Sequence, residues 1–258
     1  MSTTVKDKKI GAPRRPGLQH RTAMDLAAEE YRRFADAVAA LDAAAWTQPT
    51  ACTQWDVRQL TGHVVGMAAM AAGVREGIRQ RRIAGADADA KGIVFIDALT
   101  DLQVRERADH DTERLVADMR KVGPRAARAR RMAPSLVRRM DTGMPQAVQG
   151  VLENWSLGYM LDVILTRDTW MHRSDIAEAT GTEMALTAGH DGAIVADVVA
   201  EWAERHGQPY RLTLTGPAGG EWGVGRGGEE IELDAVQFCR VLSGRGSGPG
   251  LLATEVPF

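Results

Sequence analysis

The chain contains few of the residues and motifs on which several common protein classes depend. Its 258 residues include only two cysteines, Cys52 and Cys239, and only 5% of the residues are aromatic. Two cysteines are too few for a disulfide framework in a chain of this length, and we interpret Cys52 as a packing residue, with a reactive thiol as the alternative. The sequence has no CxxC pair, no GxSxG, no P-loop and no GxGxxG between a strand and a helix. It therefore gives no support to a serine hydrolase, a nucleoside triphosphatase or a dinucleotide-binding fold.

Long apolar runs and a strong net charge are also missing. No stretch of 18 or more apolar residues occurs, and the N-terminus lacks the apolar segment of a signal peptide, which together predict a cytoplasmic protein. The formal net charge is -2, which gives no general reason to expect binding to nucleic acid or to an anionic membrane. Residues 1–19 are rich in basic residues and proline and have little apolar content, so a disordered tail is predicted there.

The most informative segment spans residues 167–175. Asp168, His172 and Asp175 occupy positions i, i+4 and i+7, which share one face of an α-helix. A carboxylate and an imidazole one turn apart can bind one metal ion, and a second carboxylate one turn further along can orient that imidazole. An Asp-x3-His pair is also common by chance, so an exposed helix with ordinary charges is the alternative for this segment alone.

A second histidine strengthens the metal-binding hypothesis. Asp56 and Gln59 have the spacing of a capping box, which predicts the start of a helix just before His63. His63 lies at the edge of the apolar face of that helix and is expected to point inward. Alone, such a histidine is commonly a hydrogen-bonded core residue. Together with Asp168 and His172 it completes a set of two histidines and one carboxylate, which leaves a coordination position open, as in catalytic zinc sites.

Hydrophobic periodicity predicts a mainly α-helical chain. Helices are predicted at about 22–41, 57–82, 93–107, 112–121 and 156–179, with a loop through Ala90 and a helix break at Gly123 and Pro124. After Gly181 the pattern changes, because helices at 191–206 and 234–242 alternate with strands at 210–215, 221–224 and 230–233. The predicted domains are therefore a helical bundle over 20–181 and a small α+β domain over 182–258.

Eight basic residues are concentrated between positions 120 and 139. They are Arg120, Lys121, Arg125, Arg128, Arg130, Arg131, Arg138 and Arg139. We interpret this cluster as a solvated helix face, because aromatic residues do not alternate with the basic ones as they do in nucleic-acid-binding segments. An alternative is that one or two of these arginines bind a substrate carboxylate in the metal cavity.

Four segments, in this order, resemble the mycothiol-dependent maleylpyruvate isomerase family. They are CTQWDV at 52–57 continuing to His63, DAL at 97–99 with QVRER at 103–107, the stripe from Asp168 continuing into IAEATG at 176–181, and FCRVLSGR at 238–245. The resemblance covers most of the chain from about residue 20 onward. It implies a DinB-like four-helix bundle followed by a small C-terminal α+β domain that is similar to sterol-carrier folds.

The resemblance also implies particular site residues. It implies a divalent metal, zinc or a similar ion, held by His63, Asp168 and His172. The family carboxylate at the position of Asp168 is usually Glu, so the shorter Asp requires a closer approach of its helix or a different mode of carboxylate binding. The C-terminal domain is expected to supply an arginine needed for activity. Arg245 is the first candidate and Arg240 the second, and an arginine that interacts with the last carbonyls of a helix is the alternative.

These implications lead to a functional expectation. The protein is expected to activate a low-molecular-weight thiol, mycothiol, toward a small electrophile, as an S-transferase or a cis–trans isomerase. In the isomerase the thiol adds to a cis double bond, and rotation followed by loss of the thiol leaves the trans isomer, whereas a stable adduct makes the protein a transferase. A lipid or small-molecule carrier is one alternative. A hydrolase that uses zinc-bound water, with Asp175 or Glu178 as the base, is another. A monomer or homodimer is expected.

Overall fold

The computed structural model describes residues 11–258 and is mainly helical with a small sheet near the C-terminal end, which confirms the predicted fold class. Its helices are α1 (His20–Ala39), α2 (Val57–Ala72), α3 (Val74–Lys91), α4 (Phe95–Arg105), α5 (Thr112–Arg131), α6 (Ser135–Arg138), α7 (Leu157–Tyr159), α8 (Leu165–Thr180), α9 (Asp191–His206) and α10 (Ala235–Leu242). Its strands are β1 (Gln146–Val148), β2 (Val151–Glu153), β3 (Tyr210–Thr215), β4 (Gly220–Val224) and β5 (Glu229–Asp234). Within residues 11–258, no helix is long and apolar enough to cross a membrane.

Four helices, α1, α2, α5 and α8, pack their apolar faces into one core and form the bundle. On α1 the fully buried residues Tyr31, Phe34 and Val38 recur at helical spacing, as the periodicity predicts. On α2 the corresponding residues are Leu60 and Val64. Because α2 and α8 pack against each other in this core, the two predicted ligand-bearing segments face the same interior region.

The predicted single helix over 57–82 and the predicted loop after it are both wrong. The chain forms two helices there, since Gly73 has an extended backbone between α2 and α3, and α3 continues through the predicted loop to Lys91. Alanine is the best helix former, and Ala84 and Ala88 are buried against α4, so composition alone was a poor guide to this segment. Gly92 ends α3 with a positive φ of 66°.

The predicted break at Gly123 and Pro124 is also wrong, because α5 continues through both residues to Arg131. Proline inside a helix removes one hydrogen bond and usually ends or kinks the helix. Here the following residues Ala126 and Ala127 are buried in the bundle core, and that packing holds the helix together. A Cβ at position 123 would lie 3.0 Å from the Cβ of Tyr31, so the glycine serves the close approach of α1 and α5.

The predicted helix over 156–179 has the expected ends but an irregular interior. The Ser156 side chain accepts a hydrogen bond from the N–H of Tyr159 at the start, and Gly181 ends the helix with a φ of 67°. Between α7 and α8 the residues Met160–Ile164 form a π-helical turn, which the sequence did not predict. This turn lies directly before the helix that carries Asp168.

The C-terminal part consists of α9, a three-stranded sheet and α10. The strand order is β4-β3-β5, with β4 antiparallel and β5 parallel to β3. The predicted strands and helices of this part are confirmed, with bounds that differ by one residue at most. Trp202 and Phe238 lie in its core, and Trp170 and Met171 of α8 lie in the same core. The C-terminal part therefore packs directly on a helix of the bundle.

The predicted disordered tail is only partly described, because residues 1–10 lie outside the described residues. For the rest of the tail the prediction is wrong at Arg14. The N–H of Arg14 donates to the carbonyl of Asn154 at 2.8 Å, and the carbonyl of Arg14 accepts from Ser156 at 3.0 Å. These backbone hydrogen bonds fix the segment before α1 against the start of α7.

Candidate metal centre

Helix α2 holds His63 in the interior. The predicted capping box is present, since Asp56 accepts from the N–H of Gln59 at 2.7 Å and the Gln59 side chain accepts from the N–H of Asp56 at 3.0 Å. His63 is buried, and its ring stacks on that of Trp55 with the centroids 5.1 Å apart. Among residues 11–258 its Nδ1 has no hydrogen-bond partner. The other ring nitrogen, Nε2, faces Asp168 and is the atom that a metal ion at this position would use.

Helix α8 brings Asp168 and His172 opposite His63. Asp168 Oδ2 lies 3.6 Å from His63 Nε2, and Asp168 Oδ1 lies 3.4 Å from His172 Nε2. Both distances are longer than a normal hydrogen bond, and Asp168 Oδ2 also lacks a partner in the described part of the chain. One ligand atom from each of the three residues lies within 4.8 Å of the other two. Two imidazoles and a carboxylate are a donor set that suits zinc or a similar divalent ion.

Asp175 connects this cluster to the C-terminal part. Its Oδ2 lies 3.0 Å from His172 Nδ1. Arg245 donates from Nε and Nη2 to the two carboxylate oxygens, both at 2.7 Å, and Arg240 donates from Nη1 to Oδ1 at 3.1 Å. The structure therefore brings both arginines predicted from the sequence to the site. It places them on Asp175, behind His172, and Arg240 also forms an ion pair with Glu178.

The charges in this cluster shift one another's pKa values. Burial would raise the pKa of Asp168, but the imidazoles of His172 and His63 hold it well below its ordinary range. Burial would lower the pKa of His172, but Asp168 and Asp175 raise it well above 6.5. Burial also opposes ionisation of Asp175, yet hydrogen bonds from His172 and Arg245 lower its pKa to about 2. Asp175 is therefore ionised at neutral pH, accepts the Nδ1–H of His172 and leaves Nε2 facing Asp168.

Cys52 also lies beside this cluster. Its Sγ is 4.0 Å from Asp175 Oδ2 and 3.9 Å from Nη2 of Arg245. Cys52 packs against the bundle core, as predicted. The sequence did not predict that its thiol also lies near these polar groups. Cys239, in contrast, is fully buried among apolar side chains, and burial raises the pKa of its thiol well above the ordinary range.

A cavity of about 230 Å³ opens onto His63 and Asp168. Most of its wall is apolar and comes from α2, α4 and the segment before α8. The apolar residues include Met67, Met70, Phe95, Leu99, Met160, Leu165 and Phe258, and the other polar residues are Arg81, Thr100, Gln103, Thr142 and Gln146. A mainly apolar cavity with a few convergent polar groups is typical of sites for small molecules.

A second, more open groove of about 580 Å³ lies beside the cavity and is more polar. It is lined by Cys52, Thr53, Gln54, Trp55, Lys91, Ile93, Asp97, Thr100 and Asp101. Thr100 lines both spaces, and Trp55 stacks on His63, so the groove and the cavity meet near the candidate metal centre.

The basic cluster at 120–139 does not contribute to the cavity. The interpretation as a solvated helix face is wrong for Arg130, which is buried and donates to Tyr31 Oη at 3.0 Å and to Thr166 Oγ1 at 2.6 Å. Arg138 forms an ion pair with the buried Asp162. The arginine that lines the cavity is Arg81, for which sequence reasoning had no signal because other arginines surround it in the same predicted helix.

A second acidic and histidine cluster has a structural explanation. Ligand atoms of Glu30, His190 and Asp191 also lie within 4.8 Å of one another. Arg173 already occupies this cluster, because its Nε donates to Glu30 at 2.8 Å and its Nη2 donates to Asp191 at 2.5 Å. The cluster therefore links α1, α8 and α9 by buried ion pairs.

Together, the bundle, the three converging ligands and the arginine-supported carboxylate define a helical protein with a candidate mononuclear metal centre. A family model described as "Mycothiol maleylpyruvate isomerase N-terminal domain" matches residues 27–177. The chain therefore belongs to this family.

Two solved structures are similar to most of the chain. They are the mycothiol-dependent maleylpyruvate isomerase and a histidine-to-alanine mutant of it, at 16% and 17% sequence identity respectively, each with a TM-score of 0.54. In both comparisons the alignment covers 89% of this chain and 91% of the other. At this identity the similarity shows a shared fold across both parts of the chain. No match was found among curated proteins.

Proposed function

We propose that the protein is a metal-dependent enzyme that activates a low-molecular-weight thiol, mycothiol, for reaction with a small electrophile. The observation that carries this proposal is the convergence of His63, Asp168 and His172 on the wall of a mainly apolar cavity. The identity of the thiol rests on the family to which the chain belongs and on the mycothiol dependence of the two solved relatives.

The residues present fit a divalent metal. A buried carboxylate oxygen of Asp168 has no partner in the described residues, His63 and His172 both direct Nε2 toward this carboxylate, and the three side chains offer neutral and anionic donors together. A divalent ion held by His63, Asp168 and His172 would lower the pKa of a thiol bound beside it, so that thiolate exists at neutral pH.

The protein's own residues prepare the site for this chemistry. Ionised Asp175 fixes the tautomer and orientation of His172, and Arg245 and Arg240 fix Asp175. The apolar side chains of the cavity exclude water around the reacting atoms, which strengthens the interactions of charged groups there. The C-terminal arginines are thus positioning residues for the metal centre.

The groove beside the cavity suits the rest of the thiol cosubstrate. Mycothiol joins its thiol to a hydroxyl-rich sugar and inositol, which need hydrogen-bond partners and an aromatic surface. Gln54, Trp55, Asp97 and Asp101 provide both kinds of contact. In this arrangement the sugar would occupy the groove, the thiol would lie beside His63 and Asp168, and the electrophile would occupy the cavity.

We favour transfer of the thiol, or another thiol-dependent reaction, over isomerisation of maleylpyruvate itself. Identities of 16–17% carry over a fold and leave the substrate open. Asp168 also stands where this family usually has Glu, and a shorter carboxylate changes how the metal is held.

Metal analysis followed by a thiol assay tests this proposal. We expect about one divalent ion per chain, loss of that ion in the His63→Ala, His172→Ala double variant, and retention in His110→Ala, a histidine outside the cluster that faces Asp118. With mycothiol present, the metal-loaded protein should consume an electrophile such as maleylpyruvate or a monohalogenated alkane. Turnover that needs no thiol would instead support a hydrolase. Stoichiometric metal in the double variant would overturn the assignment of the ligands.

A further inference from the structure

Arg81 is a charged residue in the cavity that forms no ion pair with a carboxylate of residues 11–258. It is partly buried, lines the cavity with His63 and Asp168, and makes one hydrogen bond, from Nη2 to the carbonyl of Thr142 at 3.1 Å. Within residues 11–258, no Asp or Glu lies within ion-pair distance of its guanidinium. A guanidinium has five N–H donors, so most of those of Arg81 lack a protein partner.

The other arginines near the site differ in this respect. Arg245 and Arg240 donate to Asp175, and Arg240 also contacts Glu178. Their charges are therefore compensated by the protein, and neither lines the cavity. Arg79, two residues before Arg81 on α3, forms ion pairs with Glu76 and Glu106. Among these arginines, Arg81 is the one with charge and donors available to a ligand.

The surroundings of Arg81 hold the polar part of the cavity in place. Gln80, the preceding residue, is fully buried, and its amide donates to the carbonyl of Gly66 at 3.1 Å. Gln103, which lines the cavity, donates from Nε2 to Oε1 of Gln80 at 2.9 Å. These hydrogen bonds join α3 to α2 and α4, and Arg81, Gln103 and Thr142 are polar residues in a mainly apolar wall.

We propose that Arg81 is a specificity-determining residue that binds an anionic group of the electrophile, a carboxylate or similar oxyanion, while the apolar wall holds its carbon skeleton. This inference rests on the proposed function for the identity of the reacting partner. A planar guanidinium can hold a carboxylate with two parallel hydrogen bonds. Such contacts in a water-poor cavity favour an anionic ligand over a neutral one of the same shape by about 10- to 100-fold.

A binding experiment without thiol or turnover tests the inference separately from the proposed function. The probes are phenylacetate and phenylacetamide, which have nearly the same shape and differ in charge. Binding is measured by calorimetry and by the intrinsic tryptophan fluorescence, to which Trp155 in the cavity wall contributes. The variants are Arg81→Gln, which removes the charge and keeps a donor, Arg81→Lys, which keeps the charge, and Arg82→Gln, an exposed neighbour on the same helix, as the control.

The wild type and Arg82→Gln should bind phenylacetate at least about 10-fold more tightly than phenylacetamide. Arg81→Lys should keep part of this preference, and Arg81→Gln should lose it.

Equal affinities of the wild type for the two probes would overturn the inference. A carboxylate preference that survives in Arg81→Gln would also overturn it, because the metal centre itself would then bind the anion. The Arg81 side chain makes one hydrogen bond to the described part of the chain, so Arg81→Gln should fold with an unchanged circular dichroism spectrum. In a thiol assay with an anionic electrophile, Arg81→Gln should raise KM far more than it lowers kcat. A protein with the charge preference but no thiol-dependent turnover would contradict the proposed function and leave the role of Arg81 in binding intact.

Discussion

At the scale of single residues, Asp175 performs two tasks that are usually separate. It orients His172 by a hydrogen bond to Nδ1, and it is the counter-charge for Arg245 and Arg240. Removal of its charge is therefore expected to affect both the candidate metal centre and the attachment of the C-terminal part.

Asp175→Asn should lower both metal affinity and stability. Loss of a carboxylate that orients a metal-binding histidine typically reduces metal affinity or activity ~10–100-fold. Two arginines would also lose their buried partner, which should lower the free energy of unfolding by about 3 kcal/mol. Denaturant unfolding and titration of the apo protein with zinc measure the two effects. Glu178→Gln is the matched control, because Glu178 contacts the same Arg240 from an exposed position and should change stability by less than about 1 kcal/mol.

The clustering of His63, Asp168, His172 and Asp175 was largely predictable from the sequence. Helical spacing placed Asp168, His172 and Asp175 on one face, and the capping box at Asp56 fixed the start of the helix that carries His63. The charge state of the site was not predictable, because it depends on which of several arginines reach it across long separations in sequence. Nothing in the local pattern of Arg81 distinguishes it from Arg79, yet one lines the cavity and the other forms surface ion pairs.

At the scale of elements, glycine has opposite roles in two neighbouring helices. A Cβ on Gly66 of α2 would lie 2.6 Å from the Cβ of Gln103, so the glycine permits close packing of α2 and α4. A Cβ on Gly85 of α3 would meet no atom within 4 Å. The two positions share a helical backbone and differ in their surroundings.

Gly66→Ala should therefore destabilise the protein, and Gly85→Ala should stabilise it. Overpacking between α2 and α4 costs about 1–3 kcal/mol, while alanine in an open helical position gains roughly 0.5–1 kcal/mol over glycine. Thermal unfolding of the two variants beside the wild type measures both effects. A stabilising Gly66→Ala would show that α4 can move away from α2 at little cost.

Helix type and extent followed from periodicity where the apolar stripe was clear, as in α1, α9 and α10. The errors arose at Gly, Ala and Pro, whose meaning depends on neighbours that lie far away in sequence. Pro124 does not end α5, because buried contacts beyond it hold the helix. The Ala-rich end of α3 is helical because its small side chains pack on α4.

At the scale of the whole molecule, buried ion pairs join the bundle to the C-terminal part. Arg167 of α8 donates to Asp197 at 2.6 Å and to Glu201 at 2.8 Å, and Arg173 of α8 donates to Asp191. These contacts accompany the shared apolar core around Trp170.

Stability should fall in acid because of these carboxylates. Burial would raise the pKa of Glu201 and of Asp191, but Arg167 and Arg173 respectively lower it below the ordinary values of 4.5 and 3.8. The unfolded chain then binds more protons than the folded one in acid. The stabilisation is complete above about pH 5 and is lost as the pH falls through the lowered folded-state values. Urea unfolding at several pH values between 3 and 7 should show this slope, and Glu201→Gln should reduce it. Glu204→Gln, at an exposed position on the same helix, should leave the slope unchanged.

A fragment of residues 20–181 should not fold as a stable unit. Without α9 and the sheet, Trp170 and Met171 lose the core that covers them. Arg167 loses Asp197 and Glu201, and Arg173 loses Asp191 and keeps only Glu30. The full chain should unfold in one transition by circular dichroism and by tryptophan fluorescence, whereas the fragment should bind hydrophobic dyes and show no sharp transition. A fragment with a cooperative transition near that of the full chain would show that the bundle is independently stable.

The π-helical turn at Met160–Ile164 determines the directions in which the side chains of α8 point. Tyr159 and Arg167 both hydrogen-bond to Glu201, from Oη at 2.8 Å and from Nη1 at 2.8 Å, although they are eight residues apart. In a regular α-helix eight residues advance two turns and about 80° more, which would point the two side chains in different directions. A π-helical turn contains one residue more than an α-helical turn. Across this turn, eight residues therefore rotate about as far as seven residues do in a regular α-helix. Residues seven apart in an α-helix share a face, so Tyr159 and Arg167 point in similar directions. The extra residue also rotates Asp168, His172 and Asp175 by about 100° relative to the residues before the turn, compared with an uninterrupted α-helix. Because of this extra residue, Tyr159 before the turn and Arg167 after it both contact Glu201 of α9. The neighbouring face of the same helix directs Asp168 toward His63.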